Sequence, residues 1–113
     1  MFAASVALLL YLTARRNNLT FEMQNILTQK QYWASVMGKV TMVANQDPSA
    51  SRAGTRKHQQ LERYRIMVQQ YEKNLDMRVN LVNAQLQAIE QQLQGVQKQV
   101  QQGAKTFQMS GVA

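Results

Sequence analysis

The chain has 113 residues, 45% of them hydrophobic, with one histidine, no cysteine and a formal net charge of +7. Without cysteine there is no disulfide framework, thiolate metal site or thiol nucleophile. The six acids, Glu22, Asp47, Glu62, Glu72, Asp76 and Glu90, are scattered and joined by no histidine cluster, so the reading is of a non-enzyme with no catalytic residue, metal site or cofactor.

Residues Phe2 to Ala14 are almost wholly apolar and end at the basic pair Arg15–Arg16. The run is shorter than the roughly 20 residues that a membrane-spanning helix requires. A secretory signal carries its positive charge before its apolar core, whereas here the charge follows, so the segment is expected to stay in the mature chain. Phe2, Val6, Leu8, Leu9, Leu10 and Leu12 are the side chains expected to pack there, against protein or lipid.

The periodicity continues beyond the basic pair. Leu8, Leu12, Leu19, Met23, Ile26, Trp33, Met37, Val40 and Ala44 fall on one helical stripe, with Arg15 and Lys30 standing where apolar residues would otherwise come. This predicts one helix over about 3–44, on the order of 60 Å long. Asn45 to Ser51 is the clear interruption and is predicted as a polar turn. Asp47 suits a helix N-cap with Pro48 at the first helical position, Ser51 is a second candidate cap, and Gly54 follows.

Next comes a basic patch, Arg52, Arg56, Lys57, Arg63 and Arg65, opposed by the single acid Glu62. Such a patch suits phosphate, anionic lipid or an acidic partner, although no aromatic stacking platform accompanies it, which argues against nucleic acid. The lone histidine, His58, lies inside this stretch and reads as a solvated side chain.

From Leu61 the apolar residues fall at Leu61, Tyr64, Val68, Tyr71, Leu75, Val79, Val82, Leu86, Ile89, Leu93, Val96, Val100, Ala104 and Phe107, every step being three or four. Only a helix gives that spacing, and one is predicted over about 52–107, roughly 80 Å long. Two places with consecutive steps of four, at Tyr71–Leu75–Val79 and Val96–Val100–Ala104, predict local straightening. Gly38, Gly95 and Gly103 are expected to mark close helix approach. Of eighteen Gln residues, nine lie between Gln85 and Gln102, which makes that helix's outer surface polar but uncharged.

The fold class that follows is all-α: a long, elongated antiparallel hairpin or coiled coil of two helices within one domain, completed by self-assembly. The residues Leu12-Thr-Ala-Arg-Arg-Asn-Asn-Leu-Thr-Phe-Glu-Met-Gln24, Asp47-Pro48, Leu75-Asp-Met-Arg, Leu86-Gln-Ala-Ile-Glu90 and Lys105-Thr-Phe107 resemble small bacterial helical proteins. In layout, the chain is similar to needle and axial subunits of type III secretion and flagellar systems: short, cysteine-free, two helices, a proline-containing turn and an unprocessed start. The resemblance implies a structural subunit of an extracellular or cell-surface filament or tube, a homopolymer exported by secretion machinery.

The expected assembly stripe is Leu19, Met23, Ile26, Trp33, Met37, Val40, Leu75, Val82, Leu86, Ile89, Leu93, Val96, Val100 and Phe107. The alternative is a membrane-associated coiled-coil protein using residues 2–14 with Arg15–Arg16 at the headgroups. A third reading is nucleic-acid binding or packaging through the basic patch.

Overall fold

The computed structural model describes the backbone of residues 2–52 and 54–112, and their side chains apart from those of residues 49, 51 and 109–112. Three helices follow in order: α1 spans Phe2–Gln46, α2 Pro48–Ser51 and α3 Arg56–Val112. The fold is an all-α helical hairpin with α1 and α3 as its antiparallel arms. It divides into two compact units, one formed by residues up to Met23 with those from Leu81 onward, the other by Gln24–Asn80.

In the first unit Phe2 stacks on Phe107, ring centroids 6.3 Å apart, and Arg16 faces Glu90 at 3.8 Å. In the second, Lys30 meets Asp76 at 2.6 Å, Trp33 stacks on Tyr71 with centroids 4.9 Å apart, and Asp47 meets Lys57 at 3.1 Å. Within each unit the partner's number on α3 falls as the number on α1 rises, which is antiparallel order.

Covered positions on α1 recur at Ser5, Leu9, Leu12, Arg16, Leu19, Met23, Ile26, Lys30, Trp33, Met37, Val40 and Ala44. On α3 they recur at Leu61, Arg65, Val68, Glu72, Leu75, Val79, Val82, Leu86, Ile89, Leu93, Val96, Val100 and Gly103. Both series alternate steps of four and three without a break, a period of 3.5 that belongs to a coiled-coil seam. Leu12, Leu19, Ile26, Val40, Val68, Leu75, Val82, Ile89, Leu93 and Val96 are buried in it, and no polar or charged residue is buried among those described.

This regularity corrects several expectations. Tyr64, Tyr71 and Phe107 are exposed, and Arg65 and Glu72 hold the seam positions beside the two tyrosines, so the double step at Tyr71–Leu75–Val79 vanishes, while Gly103 and Ala104 are both half-covered after Val100. On α1 Arg15 is exposed and its neighbour Arg16 is half-covered; Leu8 is also exposed. A Cβ at Gly38 or Gly95 would meet nothing within 4 Å, so neither marks helix approach. Gly103 does accept a neighbour, because a Cβ there would lie 2.6 Å from the Phe2 ring.

The reversal is more structured than a polar turn. Asp47 N–H donates to Val43 O at 3.1 Å, and Pro48, which lacks an N–H, cannot extend α1. Instead Pro48 opens α2, where Ala50 N–H donates to Asp47 O at 3.1 Å. Gly54 then adopts φ 88°, a left-handed conformation that disfavours a side chain. Thus α3 begins at Arg56 rather than near Arg52, and its cap is Thr55, whose Oγ1 accepts from His58 N–H at 3.2 Å. The Ser51 side chain, a second candidate cap in the sequence, lies outside the described residues.

Truncating the fully buried Ile26 to Ala is expected to lower unfolding free energy in urea by about 2–5 kcal/mol. The same truncation at exposed Phe21 should cost less than about 0.5 kcal/mol. Equal losses in circular-dichroism titrations of the two variants would contradict the seam.

Candidate assembly surface

The stripe singled out for assembly is largely spent inside the hairpin. Leu19, Ile26, Val40, Leu75, Val82, Ile89, Leu93 and Val96 are buried, and Met23, Trp33, Met37, Leu86 and Val100 are half-buried, all within one chain. Any contact with another molecule must therefore use side chains that point away from the seam.

Large apolar side chains do point away. In the second unit Tyr32, Met42, Val43, Ile66, Met67 and Met77 are exposed, Met77 by 62%. In the first unit Leu8, Leu10, Tyr11, Phe21, Leu81 and Phe107 are exposed. Of the N-terminal packing set, Leu12 is buried, Val6 and Leu9 are half-buried, and Phe2, Leu8 and Leu10 are exposed. Thr13, Thr20 and Thr28 donate their hydroxyls to the carbonyls of Leu9, Arg16 and Gln24, which lowers the polarity they show to solvent.

Some of the charge in the second unit sorts by heptad position. Glu62 and Asp76 each follow a seam residue by one and lie along one edge of α3. Arg78, which precedes the seam residue Val79, and Lys57, three heptads before Arg78, lie along the other, while Arg56, Arg63 and Lys73 are exposed away from the seam. The edge that carries Lys57 also forms a shallow groove of about 430 Å³ lined by Val43, Asp47, Ala50, Lys57, Gln60, Leu61 and Tyr64. A neighbouring groove uses Val36, Lys39 and Val40 with Val43, Leu61 and Tyr64. Neither groove was foreseen, since both arise from which α1 valines lie opposite Leu61.

The basic patch is partly neutralised. Lys57 pairs with Asp47, and Arg65 pairs with Glu62 at 3.1 Å, while Arg52, Arg56 and Arg63 are exposed. Its histidine is half-buried rather than simply solvated. His58 Nδ1 lies 3.0 Å from Ala50 O, which can only accept, so Nδ1 carries the proton and ties α3 to the end of α2. Among the described residues no three of His, Asp and Glu gather as a metal site.

The Lys30–Asp76 pair gives a direct test of register. Both groups keep solvent access, 38% and 57% of the side chain, so the pair is a partly screened one. Lys30→Glu should lower stability by up to about 1 kcal/mol, and adding Asp76→Lys should restore most of it. The coupling measured in the double-mutant cycle should shrink at high salt, and a coupling that salt leaves unchanged would contradict this geometry.

No protein-family model, curated protein or solved structure matches the chain, so the reading of its function rests on its own residues.

Proposed function

We propose that the chain is a structural subunit that self-assembles into an extracellular or cell-surface filament or tube, delivered by a type III-like secretion route, and that it has no enzymatic activity. The observation that carries this reading is the set of exposed apolar side chains in the second unit, Tyr32, Met42, Val43, Ile66, Met67 and Met77, left over after the seam is filled. Exposed apolar area of this kind marks a contact surface.

Charge supports a contact between unlike edges. Asp76 and Glu62 keep 57% and 42% of their side chains accessible even when paired, and the opposite edge carries Arg78 and Lys57, the latter 64% accessible beside its partner Asp47. One copy's acidic edge meeting another's basic edge is a heterologous contact, and such contacts propagate into open polymers unless their rotation closes a ring. The segregation of sign disfavours two like edges meeting. Partners other than the chain itself would be the secretion machinery that delivers it.

Full-length protein in detergent-free buffer should give uniform filaments or tubes in negative-stain electron microscopy. Ile66→Glu and Met77→Glu place a charge outside the seam, so each should keep wild-type helicity by circular dichroism and lose the polymers. Discrete particles from the wild type would rule out the polymer, and normal polymer yield from both variants would rule out this surface.

A further inference from the structure

We infer that the outer face of α1 in the first unit docks on an anionic lipid bilayer surface, with α1 in the boundary between headgroups and acyl chains and α3 in water. Between Ala3 and Tyr11, the exposed positions are Ala3, Ala4, Ala7, Leu8, Leu10 and Tyr11. None carries a charge, and only the Tyr11 hydroxyl is polar. Leu10 is 66% exposed and Tyr11 64%, so these are outward side chains rather than the rim of the seam. Thr13, the next polar residue along α1, gives its hydroxyl to Leu9 O at 2.7 Å.

The other arm of the same unit is opposite in character. The exposed outward positions of α3 there include Gln94, Lys98, Gln101 and Lys105. Over Ala3 to Ala14 and the α3 positions 94–105 the pair is therefore amphipathic, apolar on the α1 side and hydrated on the α3 side, which is the distribution of an element lying in a membrane interface. Tyr11 has the amphipathic ring favoured at that depth. At the end of the apolar face stands Arg15, exposed and followed by exposed Asn17 and Asn18.

Length decides between lying on a bilayer and crossing it. The apolar face from Ala3 to Ala14 covers about 18 Å of helix, against a hydrocarbon core of about 30 Å. No described helix is long and apolar enough to cross a membrane.

Charge decides between lipid and another copy. The first unit carries Arg15, Arg16, Lys98 and Lys105 against two acids, Glu22 and Glu90, and neither acid lies on the apolar stretch from Ala3 to Ala14. A second copy laid against this region in the same way would bring a net positive charge to a net positive charge. An anionic leaflet brings the opposite charge, at a gain equivalent to about fivefold in affinity per nearby basic residue.

The test is flotation of the full-length protein with vesicles of phosphatidylcholine alone and of phosphatidylcholine mixed with phosphatidylglycerol, alongside sedimentation velocity without vesicles. The wild type should float with the mixed vesicles and at least about fivefold less with phosphatidylcholine alone. Leu10→Glu/Tyr11→Glu should keep its helicity and stop floating, and Arg15→Gln should weaken flotation by about fivefold.

A wild type that stays down with mixed vesicles overturns the inference, as does a double variant that floats like the wild type. So does a double variant whose only change is lost self-association in sedimentation, which would assign the face to a second copy. Ile66→Glu, altered in the second unit, should float like the wild type even where its polymers are lost, so this inference and the assembly reading fail separately.

Discussion

The seam between α1 and α3 is the constraint on which the remaining structure depends. Its covered positions step four, three, four, three along both arms, so a single narrow line of side chains on each helix is buried and the rest of the circumference is left outside. A two-helix pair has no further layer with which to cover that circumference. Leu19, Ile26, Val68, Val82 and Leu93 fill the line almost completely. What remains exposed is decided by this geometry, and it includes Leu10, Phe21, Tyr32, Met77 and Leu81.

Repeating apolar seams have a weakness, since a slip of seven residues brings similar side chains back together. The two cations within the α1 seam make such slips unequal. Arg16 and Lys30 are two heptads apart, and so are their partners Glu90 and Asp76. A slip of one heptad would set Arg16 beside Asn83 or Gln97, and Lys30 beside Gln69 or Asn83. Each ion pair is worth only a fraction of a kcal/mol to about 1 kcal/mol at this exposure. Their use lies in discrimination between registers of nearly equal apolar burial, as charged flanks do in coiled coils generally.

Much of this was legible in the amino-acid sequence, and the misreadings have a common cause. Val68, Leu75, Val82, Ile89, Leu93 and Val96 were plain because branched aliphatic residues recur there and seldom stand outside a seam. Tyr64 and Tyr71 fit the three-or-four spacing of the apolar residues, and the adjacent Arg65 and Glu72 fit the same spacing without being apolar. Long charged side chains can cover a seam with their methylenes while the charge reaches water, and Arg65 does so while bonded to Glu62. Tyr71 is stacked on Trp33 from beside the seam.

On α1 the same ambiguity moved the interruption from Arg16 to Arg15, since either basic residue fits a step of three or four. The cap at Thr55 and the His58–Ala50 bond depend on Gly54 turning left-handed, a backbone event that the run of Ser, Ala, Gly and Thr does not pin to one residue. Outward surfaces carry no period of their own, which is why the grooves beside Val43 and Leu61 emerge only when the arms are paired.

The two arms also differ in what their outer faces ask for. Away from its seam α3 carries mainly Gln, Lys and Arg, interrupted by Ile66, Met67, Met77 and Leu81. α1 has only five charged residues in 45, and two of those, Arg16 and Lys30, face the seam. Up to Ala14 its outward side chains are Ala, Leu and aromatic residues, and beyond that Phe21, Leu27 and Tyr32 stand among Asn, Gln and threonines whose hydroxyls return to the backbone. A helical stretch that is apolar around most of its circumference, as α1 is up to Ala14, gains by being covered around most of it. α3 covers one line of α1, so the outer side of α1, more than any part of α3, is where an additional surface would bury apolar area at little cost in desolvated charge.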